Sequence, residues 1–256
     1  MLYSETIVKY KDDIISRFEP ARVLKNALTP KQVEEIMLYQ FQNSDGIRWT
    51  DTSNNLQPTC NMERMFKVLP WLQNLFENEI EPFAESHSGN FYITTQLHDI
   101  HADLLTEKEV QDHDDFSDLV PYKSCVIPLA IGHNASASTA FFDQRHIGFS
   151  ITLDRNYQSL QDNSLYEISR EYPDFYMMDG SVSPQTTYDP RGQQYIFPHV
   201  DNENLDGLTI ESVFDFTPGD IMLFDSCQLH CSCVPHDRPN FTGLKNGINI
   251  QFYRKV

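Results

Sequence analysis

Three residues from two distant parts of the chain have side chains that could share one metal ion. His101 and Asp103 lie two apart in Gln96-Leu97-His98-Asp99-Ile100-His101-Ala102-Asp103, so on an extended backbone the imidazole and the carboxylate point to the same face. Downstream, Thr217-Pro218-Gly219 reads as a turn feeding Asp220 to Phe224, and Gln228-Leu229-His230 then places a second imidazole on a strand. Two imidazoles and a carboxylate suit a first-row divalent metal; gathered on one side of it, they leave about half of an octahedral sphere for other ligands.

Other donors compete for that role. A second His-x-Asp, His199-Val200-Asp201, precedes His230 by only 31 residues (230 − 199), whereas His101 precedes it by 129 (230 − 101). Only the longer separation lets the chain cross a barrel between the two metal-bearing strands, so His199 and Asp201 are assigned to the surface or to the mouth of the site. Cys227, His230, Cys231, Cys233 and His236 crowd soft and imidazole ligands together, but their spacing is not that of a zinc finger. On a strand, Cys231 and Cys233 would point away from His230 and pack as small hydrophobes. Asn202 to Gly207 imitates a calcium loop, with Val213 where the bidentate Glu belongs.

The positioning elements are legible as helices first and strands afterwards. Thr29-Pro30 followed by Gln32 to Met37 reads as a helix start with a capping residue and proline at the first helical position. Leu72, Leu75, Phe76 and Ile80 predict a second helix over 71–83. From Asn90 the pattern turns β-branched and aromatic, predicting strands at 91–97, 124–131, 138–142, 208–214, 220–224, 228–233 and 248–253. This order indicates a mainly β, closed or sandwiched antiparallel fold with flanking helices. One domain over 1–256 is expected, with 1–89 as helical support, 90–253 as the β core, and 144–207 as an insert placed to cover a site, including a helix at 165–171.

Taken together, His101-Ala102-Asp103, the Pro218-Gly219-Asp220 turn, His230 and a basic residue on the last strand resemble the Fe(II)/2-oxoglutarate-dependent dioxygenase family over 90–253. The resemblance implies a double-stranded β-helix core (jelly-roll, cupin-like), Fe(II) on His101, Asp103 and His230, and Lys245 on the far carboxylate of 2-oxoglutarate. Lys123, at the start of the strand after the first His-x-Asp, competes for that last role. Lys245-Asn246-Gly247 stands where the family commonly shows Arg-x-Ser, which keeps a charge and loses the bidentate fork. The implied reaction consumes 2-oxoglutarate and O2, forms succinate and CO2, and hydroxylates a small molecule. Related halogenases carry a small residue in place of Asp103, so its carboxylate points to hydroxylation. Two alternatives share these elements: a β-barrel binding protein without turnover, and a metal-dependent cupin-like enzyme that does not use 2-oxoglutarate.

Composition narrows the partners. A 40% hydrophobic share with 17 Phe, 12 Tyr and 10 Gly is that of a folded chain. With 37 acidic against 19 basic side chains, the formal charge of −18 would repel nucleic acid and anionic membranes. Met1 to Phe18 lacks the apolar run of a signal peptide, so a cytoplasmic protein with reduced cysteines is expected, and Asn134-Ala-Ser136 and Asn240-Phe-Thr242 are not expected to be glycosylated.

Overall fold

A computed structural model of the chain describes residues 3–43, 55–56, 59–60, 62–79, 86–94, 97–105, 118–132, 137–153, 176–178, 196–205, 207–234 and 244–256. It opens with α1 (Tyr3–Ile15), β1 (Arg22–Leu24) and α2 (Pro30–Gln42). The α2 start has the expected chemistry: Thr29 Oγ1 accepts from the Gln32 amide, the Gln32 side chain accepts from the Thr29 amide, and Pro30 fills the first turn. Two short strands, β2 (Asn55–Leu56) and β3 (Thr59–Cys60), and two helices, α3 (Met62–Val68) and α4 (Pro70–Glu79), complete the N-terminal part.

The barrel strands follow as β4 (Ser86–Thr94), β5 (Ile100–His101), β6 (Leu119–Ile131), β7 (Ser138–Arg145), β8 (Thr152–Leu153), β9 (Ile210–Asp215), β10 (Ile221–Asp225), β11 (Gln228–Cys233) and β12 (Lys245–Lys255). One sheet runs β1-β10-β6-β12-β4-β2, with β3 also on β4; the other runs β8-β5-β11-β7-β9. All pairings are antiparallel. The eight central strands form two four-stranded layers, β10-β6-β12-β4 and β5-β11-β7-β9, in the order of a double-stranded β-helix, a jelly roll.

Alternation along each strand sorts side chains between the inside and two outer faces. Ile127, Leu223, Ile248, Ile250 and Phe252 pack outward onto Val33, Ile36, Met65, Leu72 and Phe76 of the helices. On the far side, Ala140, Phe142, Leu229 and the thiols of Cys227, Cys231 and Cys233 pack with Phe197, Val200 and Leu205. The interior holds Val126, Phe141, Phe216, Met222 and Phe224, with Tyr92 against them. β6 contains Pro121 and Pro128 although it pairs on both sides. Its register against β12 slips at both prolines, passing from Lys123 to Pro121 and from Pro128 to Ala130, so each missing N–H falls at a bulge.

Several boundaries differ from the sequence reading. β12 begins at Lys245 rather than Ile248, because pairing with Thr94 and Ile131 holds a turn-like Lys-Asn-Gly in the ladder. β4 starts earlier, at Ser86, and ends at Thr94; β9 starts at Ile210. α1 has no counterpart in that reading, although Ile7 and Ile14 bury its inner face against Val120 and Tyr253. Most of the 144–207 insert, including the helix expected at 165–171, lies outside the described residues. No helix among the described residues is long and apolar enough to cross a membrane.

Candidate metal centre

β5 and β11 are neighbours, and their register places His101 directly opposite His230. The two rings lie 4.2 Å apart between centroids. Asp103, just past the end of β5 and 5% exposed, reaches both: its Oδ1 is 3.8 Å from His101 Nε2 and its Oδ2 is 3.8 Å from His230 Nε2. The three ligand atoms lie within 4.8 Å of one another, and among the described residues no other such group of His, Cys, Asp and Glu forms.

The remaining imidazole nitrogens fix the tautomers. His101 Nδ1 lies 2.7 Å from the Asp99 carbonyl oxygen and His230 Nδ1 lies 3.0 Å from that of Gln228. A carbonyl only accepts, so both Nδ1 atoms carry the proton and both Nε2 lone pairs face Asp103. Burial, helped by the neighbouring His101, pulls the His230 pKa down to about 4, so the ring is neutral at physiological pH as a metal ligand must be. Phe141 stacks on the His230 ring at 5.6 Å and Phe224 packs at 4.6 Å, which closes that side to water. β7 is irregular beside His230, advancing four residues while β11 advances two. His101 is the open side, with its side chain 24% exposed.

One strand repeat beyond His230, about 7 Å along β11, Ser232 points to the same face and accepts a hydrogen bond of 2.9 Å from Lys245 Nζ. Lys245 is 4% exposed, and burial pulls its pKa from 10.5 down to about 8. His98 lies between these features: its carbonyl accepts from the Ser232 amide, and its ring stands 6.1 Å from both His101 and Tyr92. Burial first, then Lys245, holds the His98 pKa well below 6.5.

No protein-family model and no curated protein matches the sequence. Solved structures do. A prolyl-4-hydroxylase from Pseudomonas putida is similar at 9% identity and TM-score 0.44, over 98% of this chain and 100% of that one. The non-heme alpha ketoglutarate dependent carbocyclase SnoK from nogalamycin biosynthesis is similar at 10% and 0.47, over 99% and 84%. The epimerase SnoN, in complex with Fe3+, alpha ketoglutarate and nogalamycin RO, is similar at 8% and 0.47, over 97% and 84%.

The competing residues go elsewhere. His199 packs its Nε2 3.0 Å from the His98 carbonyl oxygen, and neither it nor Asp201 joins the three clustered donors. Lys123 donates to Asp225 at 2.7 Å and to Glu19 at 2.9 Å. Asp225 also faces the fully buried Arg145 at 3.4 Å, which reaches Glu211 at 3.2 Å. This ion network ties β6, β7, β9 and β10 to the segment before β1. Sequence reasoning passed over Asn249, whose Nδ2 donates to Asp103 Oδ2 at 3.0 Å. Its signal was available: Lys245, Gly247 and Asn249 alternate with the outward Ile248 and Ile250, so β12 turns polar groups inward.

Proposed function

We propose that this chain is a non-haem Fe(II) oxygenase that uses 2-oxoglutarate and O2 to hydroxylate a small molecule, within one domain. The observation that carries this reading is the donor set itself. Two imidazoles from paired strands have their Nδ1 protons held by backbone carbonyls and their Nε2 atoms turned toward one carboxylate. The residues fit the ion: borderline nitrogen donors with one anionic oxygen, all on one side, suit Fe(II) with further positions open.

In this reading His101, Asp103 and His230 hold the iron and Lys245 holds the far carboxylate of 2-oxoglutarate. With both bound, the group supplies an oxidation in which O2 and the keto acid become succinate and CO2, and one oxygen atom enters a substrate C–H bond. The chain's own residues place the reactants. Asp103 offsets part of the metal charge, Ser232 orients the ammonium, and Phe141 and Phe224 keep water from the His230 side.

Anaerobic addition of Fe(II) and then 2-oxoglutarate tests it, through the weak visible charge-transfer band of the chelate. A band that needs both additions, with succinate release on admitting O2 and an accepted substrate, is the expected result. Iron uptake indifferent to 2-oxoglutarate favours a cupin-like enzyme, and no uptake favours a binding barrel.

A further inference from the structure

Asp103 sits beyond the end of a two-residue strand, and a carboxylate turns about its last torsion in a broad well. Its own backbone therefore leaves open which oxygen faces which histidine. What fixes it comes from the other sheet. Asn249 lies mid-way along β12, opposite Asn90 of β4 and Val126 of β6, and its side chain crosses the interior to Asp103. Because a carboxylate can only accept, the amide must present its NH2 end, so the orientation of Asn249 follows from chemistry.

The other end of the same amide has no such purpose. Asn249 Oδ1 is shielded from solvent and has no hydrogen-bond partner among the described residues. A buried carbonyl oxygen left in this way costs stability, and a leucine of similar size would avoid that cost. The cost is explained by the donor at the opposite end. We propose that Asn249 is a positioning residue of the metal centre, locking the Asp103 carboxylate so that Oδ1 serves the His101 side and Oδ2 the His230 side. The assignment rests on reading this centre as a metal site, and it makes β12 serve both ends, through Asn249 at the ligand and Lys245 four residues earlier.

The test is a titration of the purified full chain with Co(II) alone, followed by calorimetry and by the visible spectrum. Wild type and the Asn249→Leu and Asn249→Ala variants are compared, with melting of each metal-free protein alongside. Wild type should take up one equivalent, and both variants should bind roughly 10- to 100-fold more weakly. Metal-free Asn249→Leu should melt no lower than wild type. If the leucine variant does not fold, the alanine variant carries the affinity comparison. Wild-type affinity and an unchanged Co(II) spectrum in the folded variants overturn the assignment, above all if their metal-free melting falls, since Asn249 is then a packing residue. No Co(II) uptake by wild type overturns the metal-site reading itself and takes this assignment with it.

Discussion

Replacing Lys245 by Met should make the metal-free protein more stable and, on the proposed function, weaken its binding of 2-oxoglutarate. The ammonium is 4% exposed, and burial lowers its pKa from 10.5 to about 8. That gap corresponds to about 3 kcal/mol of penalty on the charged form. Below pH 8 both folded and unfolded chains carry the proton and the folded state bears the whole penalty. Between pH 8 and 10.5 the unfolded chain binds more protons, so this group's contribution to stability rises with pH, and it is lost again as pH falls through about 8. Lys245→Met should therefore gain up to about 3 kcal/mol at pH 7, at about 2 to 4 °C per kcal/mol for a chain of this size. The advantage should shrink above pH 8.

A bound dicarboxylate reverses the balance, because it needs the charged form. Losing a buried charge partner costs about 2 to 5 kcal/mol of binding, roughly 30-fold in affinity at the lower end. Wild-type affinity for 2-oxoglutarate should also weaken by about tenfold per pH unit above 8, while the variant stays flat. Thermal melting across pH and an anaerobic 2-oxoglutarate titration read both effects. A variant that melts lower and binds 2-oxoglutarate as wild type does would show that Lys245 is a structural lysine, and the anchor would have to be sought elsewhere.

Three further outcomes are expected. Alanine at His101, Asp103 or His230 should abolish stoichiometric divalent-metal uptake measured by calorimetry, while His199→Ala should retain it. Asp225→Ala removes one carboxylate partner from Lys123 and from Arg145, which keep Glu19 and Glu211, and should cost about 1 to 3 kcal/mol in urea unfolding; Lys123→Ala should lose stability without changing the affinity for added 2-oxoglutarate. Gly247→Ala should lose about 1 to 3 kcal/mol, since a Cβ there would stand 2.5 Å from the Tyr92 hydroxyl and 3.1 Å from the Ile127 carbonyl oxygen.

The sequence carried those parts of the fold and site that depend on local period and spacing. Thr29-Pro30 announces α2 because capping is local, and His101-x-Asp103 announces one side of a centre because a strand repeats every two residues. Residues joined only by register were not legible in the same way. Lys123 and Lys245 are both lysines near the start of a strand as the sequence reads; what separates them is that Asp225 and Glu19, about a hundred residues from Lys123 in either direction, meet Lys123 in space. Pro121 and Pro128 would argue from sequence against a central strand, yet β6 is central because its ladder bulges at each proline.

The same dependence on register explains why the candidate site occupies this part of the barrel. β11 offers His230 and Ser232 on its inner face and the thiols of Cys231 and Cys233 with Leu229 on the outer one. β12 offers Lys245 and Asn249 inward and Ile248, Ile250 and Phe252 to the helices. A slip of one residue in either strand would turn every polar group into an apolar layer and every apolar side chain into the interior. The outer packing of Ile250 and Phe252 among the helix residues therefore specifies the register that brings Asn249 to Asp103. The contact between Phe252 and Phe76, at 5.1 Å between ring centroids, belongs to the placement of the centre although neither ring approaches it.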